Sequence, residues 1–205
     1  MPLPRPGKIV CVGRNYLEHA RELGNEVPKE PLLFLKPPSS IVGDGGEIVL
    51  PPQSSRVEFE GEIGVVIGAR LRHADERAAA AAVGAIVAVN DVTARDLQRT
   101  DGQWTRAKGF DTFCPVGEPH LGDVDLAGLE VVTRLNGEER QRGRSADMAF
   151  SISFLLAYIS GIMTLEPGDL VATGTPAGVG PLAPGDLVEV EVVGLASVRN
   201  RVRSA

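Results

Sequence analysis

Residues 57–68 read Val-Glu-Phe-Glu-Gly-Glu-Ile-Gly-Val-Val-Ile-Gly, and the change of character partway along decides the fold. The first half alternates polar and apolar, whereas the second is apolar almost throughout, as in a strand that enters a core. Residues two apart on a strand share a face, with Cα atoms about 6.6 Å apart, so Glu58, Glu60 and Glu62 point the same way. Three like charges on one face repel, and a cation would hold them. A solvated edge strand with an acidic face is the other reading.

Outward from this strand the same theme repeats. Apolar runs at 8–13, 32–35, 47–50, 85–89, 169–173, 187–193 and 197–202 end in glycine, proline or charged residues and read as strands. Residues 129–135 lead into Asn136-Gly137, a strong hairpin signal. Helical spacing is confined to a few segments. Residues 16–24 place Leu17, Ala20 and Leu23 on one face and end in Gly24. Residues 74–83 form an alanine-rich helix, 151–159 are apolar all round and form a buried helix, and 93–98 form a polar turn or short helix capped by Thr93 or Asp91. The 24 glycines and 15 prolines fit many short strands joined by tight turns. The expected fold is a β-rich α+β domain, a rolled or barrel-like sheet with a few short helices. Residues 1–6 form an N-terminal extension, and residues 7–205 form one domain without repeats or linkers.

Composition narrows the partners. Apolar residues at 43% and charged residues at 23% exclude a disordered chain. A net charge of −6 argues against nucleic acid, and the basic runs 134–144 and 199–203 read as solvated hairpin edges. No window reaches the 18 or so apolar residues of a membrane span, and the N-terminus has no signal-peptide core, so a cytoplasmic protein is expected. Cys11 and Cys114 lie far apart in apolar runs and read as two buried, reduced thiols.

Several residues carry possible chemistry. Asp91 ends the apolar strand 85–89, where a carboxylate is costly unless paired, metal-bound or used as a helix cap. An all-oxygen set with few histidines or cysteines suits Mg²⁺, Mn²⁺ or Ca²⁺ over zinc. His19 and Glu22, at i and i+3, form either a general-base pair or a surface pair on an amphipathic helix. Lys36 and Lys108 are anion-binding or solvated. The glycine-rich turn 173–180 lacks a P-loop's Gly-Lys-Ser/Thr and is either a backbone nest for a carboxylate or a plain loop.

Taken in order, these fragments resemble the fumarylacetoacetate hydrolase superfamily. The matching pieces are Gly13-Arg14-Asn15-Tyr16 with His19 and Glu22, Phe34-Leu35-Lys36-Pro37, and Glu60-Gly61-Glu62 with the apolar run after it. They continue through Asn90-Asp91-Val92-Thr93-Ala94-Arg95-Asp96-Leu97-Gln98, Lys108-Gly109-Phe110-Asp111 and the turn 174–180. The resemblance implies a mixed β-sandwich roll over residues 7–205, a homodimer, and Mg²⁺ or Mn²⁺ on Glu60, Glu62 and Asp91, with Glu58 outside the ligand set. It further implies a His19–Glu22 dyad on a lid helix, Lys108 as catalytic lysine, and substrate contacts from Arg14, Lys36, Gln98 and Thr175. The segment 99–107 (RTDGQWTRA) contacts the site in such proteins and varies with substrate. The short chain looks most like the acylpyruvase and oxaloacetate-decarboxylase branch, and is also similar to bacterial enzymes of aromatic catabolism that act on homoprotocatechuate breakdown products. The expected activity is metal-dependent C–C hydrolysis of acylpyruvates such as acetylpyruvate or fumarylpyruvate. Decarboxylation or isomerisation of a 2-oxo diacid is the alternative. A metal binder without catalysis would have no need of the His19–Glu22 pair.

Overall fold

In the computed structural model, residues 5–18 and 28–205 are described. Two five-stranded sheets face each other. The first has the order β2 (Leu32–Lys36), β1 (Ile9–Gly13), β12 (Leu170–Ala172), β6 (Gly61–Ile67) and β7 (Val83–Asn90). The second runs β11 (Glu138–Arg144), β10 (Glu130–Leu135), β14 (Leu187–Val192), β15 (Ala196–Ser204) and β4 (Glu47–Leu50). Two smaller sheets join β13 (Gly180–Pro181), β5 (Val57–Phe59) and β8 (Thr93–Ala94), and β3 (Ile41–Val42) with β9 (Cys114–Pro115). The helices are α1 (Glu76–Ala81), α2 (Arg95–Thr100), α3 (Thr105–Lys108) and α4 (Ile152–Ile162).

The first sheet is covered on both faces, which is why its strands read as continuous apolar runs. Ile63, Val65 and Ile67 pack toward Val131, Val190 and α4's Ile152 and Leu156, while Val66, Val87 and Val89 join Cys11 and Cys114 behind the sheet. Every residue of β6 is buried. The second sheet has one wet face: β14, with the sequence LVEVEV, alternates as period-two burial requires. Its basic strands are paired at the surface, Arg134 with Glu191 and Arg203 with Glu47. The Asn136-Gly137 hairpin forms, with both residues left-handed at φ 54° and 84°.

Four expectations are corrected. The acidic stretch is two strands, because Glu60 lies at a break between β5 and β6, which belong to different sheets. Neither Thr93 nor Asp91 caps a helix: Thr93 pairs with Glu58 in β8, and α2 starts at Arg95 without a side-chain cap. The alanine-rich helix is shorter than residues 74–83, since Asp75 caps it by accepting from the Ala78 amide and Val83 already belongs to β7. Helix α4 is not buried all round, because Phe150, Phe154 and Tyr158 stack along its outer side at centroid separations of 5.6 and 6.1 Å. The helix expected over 16–24 lies mostly outside the described residues.

Candidate metal centre and its cavity

The end of β7 and the start of β6 are held in register by Gly61 opposite Asn90 and Glu62 opposite Val89. Around that register the chain is stitched by polar groups: the Asn90 side-chain oxygen accepts from the Glu60 amide at 2.9 Å, and the Asp91 amide donates to the Glu60 carbonyl at 2.8 Å. Only glycine fits at position 61, where a Cβ would stand 1.9 Å from Thr133 Oγ1. The result brings Glu60, Glu62 and Asp91 together, all buried, with one carboxylate oxygen from each within 4.8 Å of the others.

Buried carboxylates need partners. Lys36 Nζ donates to Asp91 Oδ1 at 2.6 Å and to the Val92 carbonyl at 3.1 Å. Lys108 Nζ bridges Glu60 Oε2 at 2.8 Å and Asp91 Oδ2 at 2.5 Å, and stands 4.9 Å from the centre of the Phe34 ring. Arg95 spans Glu58 Oε2 at 2.7 Å and Glu60 Oε1 at 2.5 Å. Four buried carboxylates (Glu58, Glu60, Glu62, Asp91) therefore meet three buried cations (Lys36, Arg95, Lys108), and the exposed Arg56 adds a fourth on Glu58. Glu62 is the acid left over: its hydrogen bond comes from the Gly174 amide at 2.8 Å, and no ion pair reaches it among the described residues.

The proton affinities follow. Burial raises the Glu62 carboxyl well above the usual carboxylate range, and the charges of Asp91 and Glu60 push the same way. Burial alone would lower the Lys108 ammonium, but Asp91 and Glu60 outweigh it and hold Lys108 above the usual lysine range. A set of converging carboxylate oxygens, one of them on an acid without an ion pair, fits a hard divalent cation.

The carboxylates face a cavity of about 280 Å³ whose wall includes Arg14, Phe34, Gln98, Arg99, Trp104 and Thr175. Arg14 sits on left-handed backbone, φ 58°. Gln98 lends its oxygen to Arg95 at 2.5 Å. Thr175 donates to the Gly61 carbonyl at 2.9 Å and accepts from Gln141 at 2.8 Å, so its hydroxyl braces the site while it lines the cavity. Lys36 and Lys108 are not solvated, and Lys36 lies behind the carboxylates with its side chain 0% exposed. The glycine-rich turn does bind a carboxylate through a backbone amide, and that carboxylate is the chain's own Glu62. Glu58 stands apart from the cluster, held by Arg56 and Arg95. His19 and Glu22 lie outside the described residues.

Gln141 has a role that sequence reasoning missed. It accepts from the Gly61 amide at 3.0 Å and donates to Thr175 and the Pro176 carbonyl at 2.8 Å, tying the start of β6, between Glu60 and Glu62, and the glycine-rich turn to the second sheet. In the polar strand EERQRGR only the inward turn of alternate residues could have marked it. Asn15 is another: buried, it donates to the Thr173 and Phe150 carbonyls at 2.9 and 3.1 Å and accepts from the Phe150 amide at 2.9 Å.

This two-sheet roll, with three acids converging beside a cavity, belongs to a family that sequence comparison also defines. The description "Fumarylacetoacetate (FAA) hydrolase C-terminal" matches residues 8–203, and the chain belongs to the fumarylacetoacetate hydrolase family of enzymes. It is 45% identical over 198 residues to the mitochondrial oxaloacetate tautomerase FAHD1 of Arabidopsis thaliana, covering 94% of this chain and 89% of that protein. It is 45% identical over 195 residues to the mitochondrial oxaloacetate decarboxylase of Dictyostelium discoideum, covering 92% and 89%. The crystal structure of fumarylpyruvate hydrolase from Pseudomonas aeruginosa, in complex with Mn²⁺ and pyruvate, superposes with a TM-score of 0.94 at 31% identity, covering 100% and 92%. No described helix is long and apolar enough to cross a membrane.

Proposed function

We propose that the protein is a divalent-metal-dependent enzyme that generates the enolate of a small 2-oxo acid, tautomerising or decarboxylating a substrate of the oxaloacetate type. The observation that carries this reading is the convergence of Glu60, Glu62 and Asp91, with Glu62 reached by no ion pair among the described residues, beside a cavity whose wall holds guanidinium groups. Mg²⁺ or Mn²⁺ held by these three residues would supply Lewis-acid polarisation of a 2-oxo group. Lys108 keeps a positive charge where negative charge develops on the substrate, a fixed electrostatic contribution that needs no reorganisation. Lys36 and Arg95 fix the Asp91 and Glu60 carboxylates in place. Phe34 and Trp104, in edge-to-face contact at 5.3 Å, give the cavity an apolar flank. A proton lost from C3 gives the enol tautomer on reprotonation at oxygen, and loss of the C4 carboxylate as CO₂ gives the enolate of pyruvate. The relatives named for oxaloacetate chemistry support the reading.

Hydrolysis of acylpyruvates at the C3–C4 bond is the second reading, supported by the likeness to fumarylpyruvate hydrolase. It adds a requirement for activated water, the role assigned here to His19 oriented by Glu22. Oxaloacetate and acetylpyruvate assayed side by side with Mg²⁺, in wild type and His19→Ala, test both. Mg²⁺-dependent oxaloacetate turnover is expected. Acetylpyruvate cleavage should fall about 10²-fold in the variant, the usual size of a general-base contribution. Oxaloacetate decarboxylation should fall less. Inertness toward both substrates with either metal would sink the proposal.

A further inference from the structure

Two guanidinium groups on the cavity wall, Arg14 and Arg99, have no ion-pair partner among the described residues. The acids nearest Arg99 in sequence are engaged elsewhere. Asp96 accepts from Ser54 Oγ at 2.6 Å, the Ser55 amide at 2.7 Å and the Leu97 amide at 2.9 Å. Asp101 takes Arg106 through two bonds, at 2.8 and 2.5 Å. Arg99 is thus an exposed cation that faces the cavity with its neighbouring counter-charges already used.

Its position along α2 gives it a register. Arg95, Gln98 and Arg99 stand at i, i+3 and i+4, one face of the helix. Arg95 holds Glu60 at the carboxylate cluster, and Arg99 follows about 6 Å farther along the axis, at about 1.5 Å per residue. The terminal carbons of an extended five-carbon diacid are separated by four C–C bonds of about 1.5 Å, so about 5 Å. The cavity therefore offers an oxygen-binding cluster, an aromatic flank of Phe34 and Trp104, and a guanidinium one helical turn out.

We infer that Arg99 is the recognition group for the distal carboxylate of a 2-oxo diacid, a subsite that rests on the proposed reading, in which the 2-oxo acid end meets a divalent cation held by Glu60, Glu62 and Asp91. Arginine suits this role because its planar fork matches a carboxylate with two parallel hydrogen bonds. In a four-carbon 2-oxo diacid the distal carboxylate is borne by C3, and an ion pair stabilises that anion relative to departing neutral CO₂, which would leave the C3–C4 bond pair on C3. A filled subsite therefore favours proton loss from C3 over decarboxylation of such a substrate.

The test measures binding, so it does not depend on which reaction follows. Calorimetric titration of the Mg²⁺-loaded protein compares 2-oxoglutarate with 5-methyl-2-oxohexanoate, in which an isopropyl group takes the place of the distal carboxylate. Wild type should bind the diacid at least about tenfold more tightly, as expected for a charged hydrogen-bonded pair. Arg99→Gln should erase that preference, Arg99→Lys should keep part of it, and Arg201→Gln, a surface arginine on β15, should leave it intact. Equal Mg²⁺-dependent binding of both compounds by wild type, or a preference that survives in Arg99→Gln, overturns the subsite alone. Binding of neither compound with Mg²⁺ overturns the 2-oxo acid reading and the subsite with it.

Discussion

Glu62→Gln should make the metal-free protein more stable while removing its response to metal. Glu62 is 1% exposed and accepts one backbone hydrogen bond, and it shares a site with two other carboxylates. At an effective dielectric of about 20, unit charges 4.8 Å apart repel by about 3 kcal/mol, and the nearby Lys108 ammonium offsets part of this. The amide removes the charge, still accepts from Gly174, and can donate to Glu60 or Asp91. A gain of about 1–3 kcal/mol is expected without metal, which for a chain of this size is about 3–10 °C in Tm. Mg²⁺ at about 100 times its Kd should stabilise wild type by about 2.7 kcal/mol and the variant by little, closing or reversing the gap between the two proteins. The pH dependence has a definite sign. The folded state raises the Glu62 carboxyl above its unfolded value of about 4.3, so the metal-free penalty is absent below that pH and grows as pH rises through the folded value. Scanning calorimetry in EDTA and in Mg²⁺, from pH 4.5 to 8.5, reads all of this. A variant less stable than wild type in EDTA at pH 8, or one stabilised equally by Mg²⁺, refutes the reasoning.

Asn15→Ala should cost about 2–4 kcal/mol in urea unfolding, because it leaves the buried Thr173 and Phe150 carbonyls and the Phe150 amide without the partner that joins β1's end, β12's end and the start of α4. A loss under 1 kcal/mol would show that water replaces it. Cys11 and Cys114 should resist thiol reagents in the folded state, since burial raises Cys11 and pushes Cys114 up to about 12. An aromatic disulfide reagent should find no rapidly reacting thiol before denaturant and two after it, and a fast thiol in the native protein would contradict the burial.

Much of this was legible in the chain, for reasons that differ from residue to residue. The run 63–67 announced a doubly covered strand because both of its faces touch apolar neighbours, and Asn136-Gly137 announced its hairpin because few other dipeptides take two left-handed residues. Glu60, Glu62 and Asp91 were readable as a group only through their order in a family pattern, since spacing alone put Glu58 on the same face. The break at Glu60 was hidden because alternation runs unbroken from Val57 to Glu62. It arises from the Asn90 side chain and the approach of Thr133 to Gly61, contacts 30 and more residues away. Lys36 and Lys108 were read as anion-binding or solvated, because a lysine in a sequence does not reveal the acid that folding brings to it.

The break has a mechanical consequence. Glu60 stands where the three-stranded sheet hands over to the five-stranded one, while Glu62 belongs wholly to the latter and Asp91 follows β7. An ion shared by the three would act as a rivet through the joint, opposing any rocking of β5 against β6. The stiffness of that seam would then depend on metal supply, and the Asp91 amide, bonded to the Glu60 carbonyl across it, would exchange its hydrogen more slowly as the ion binds.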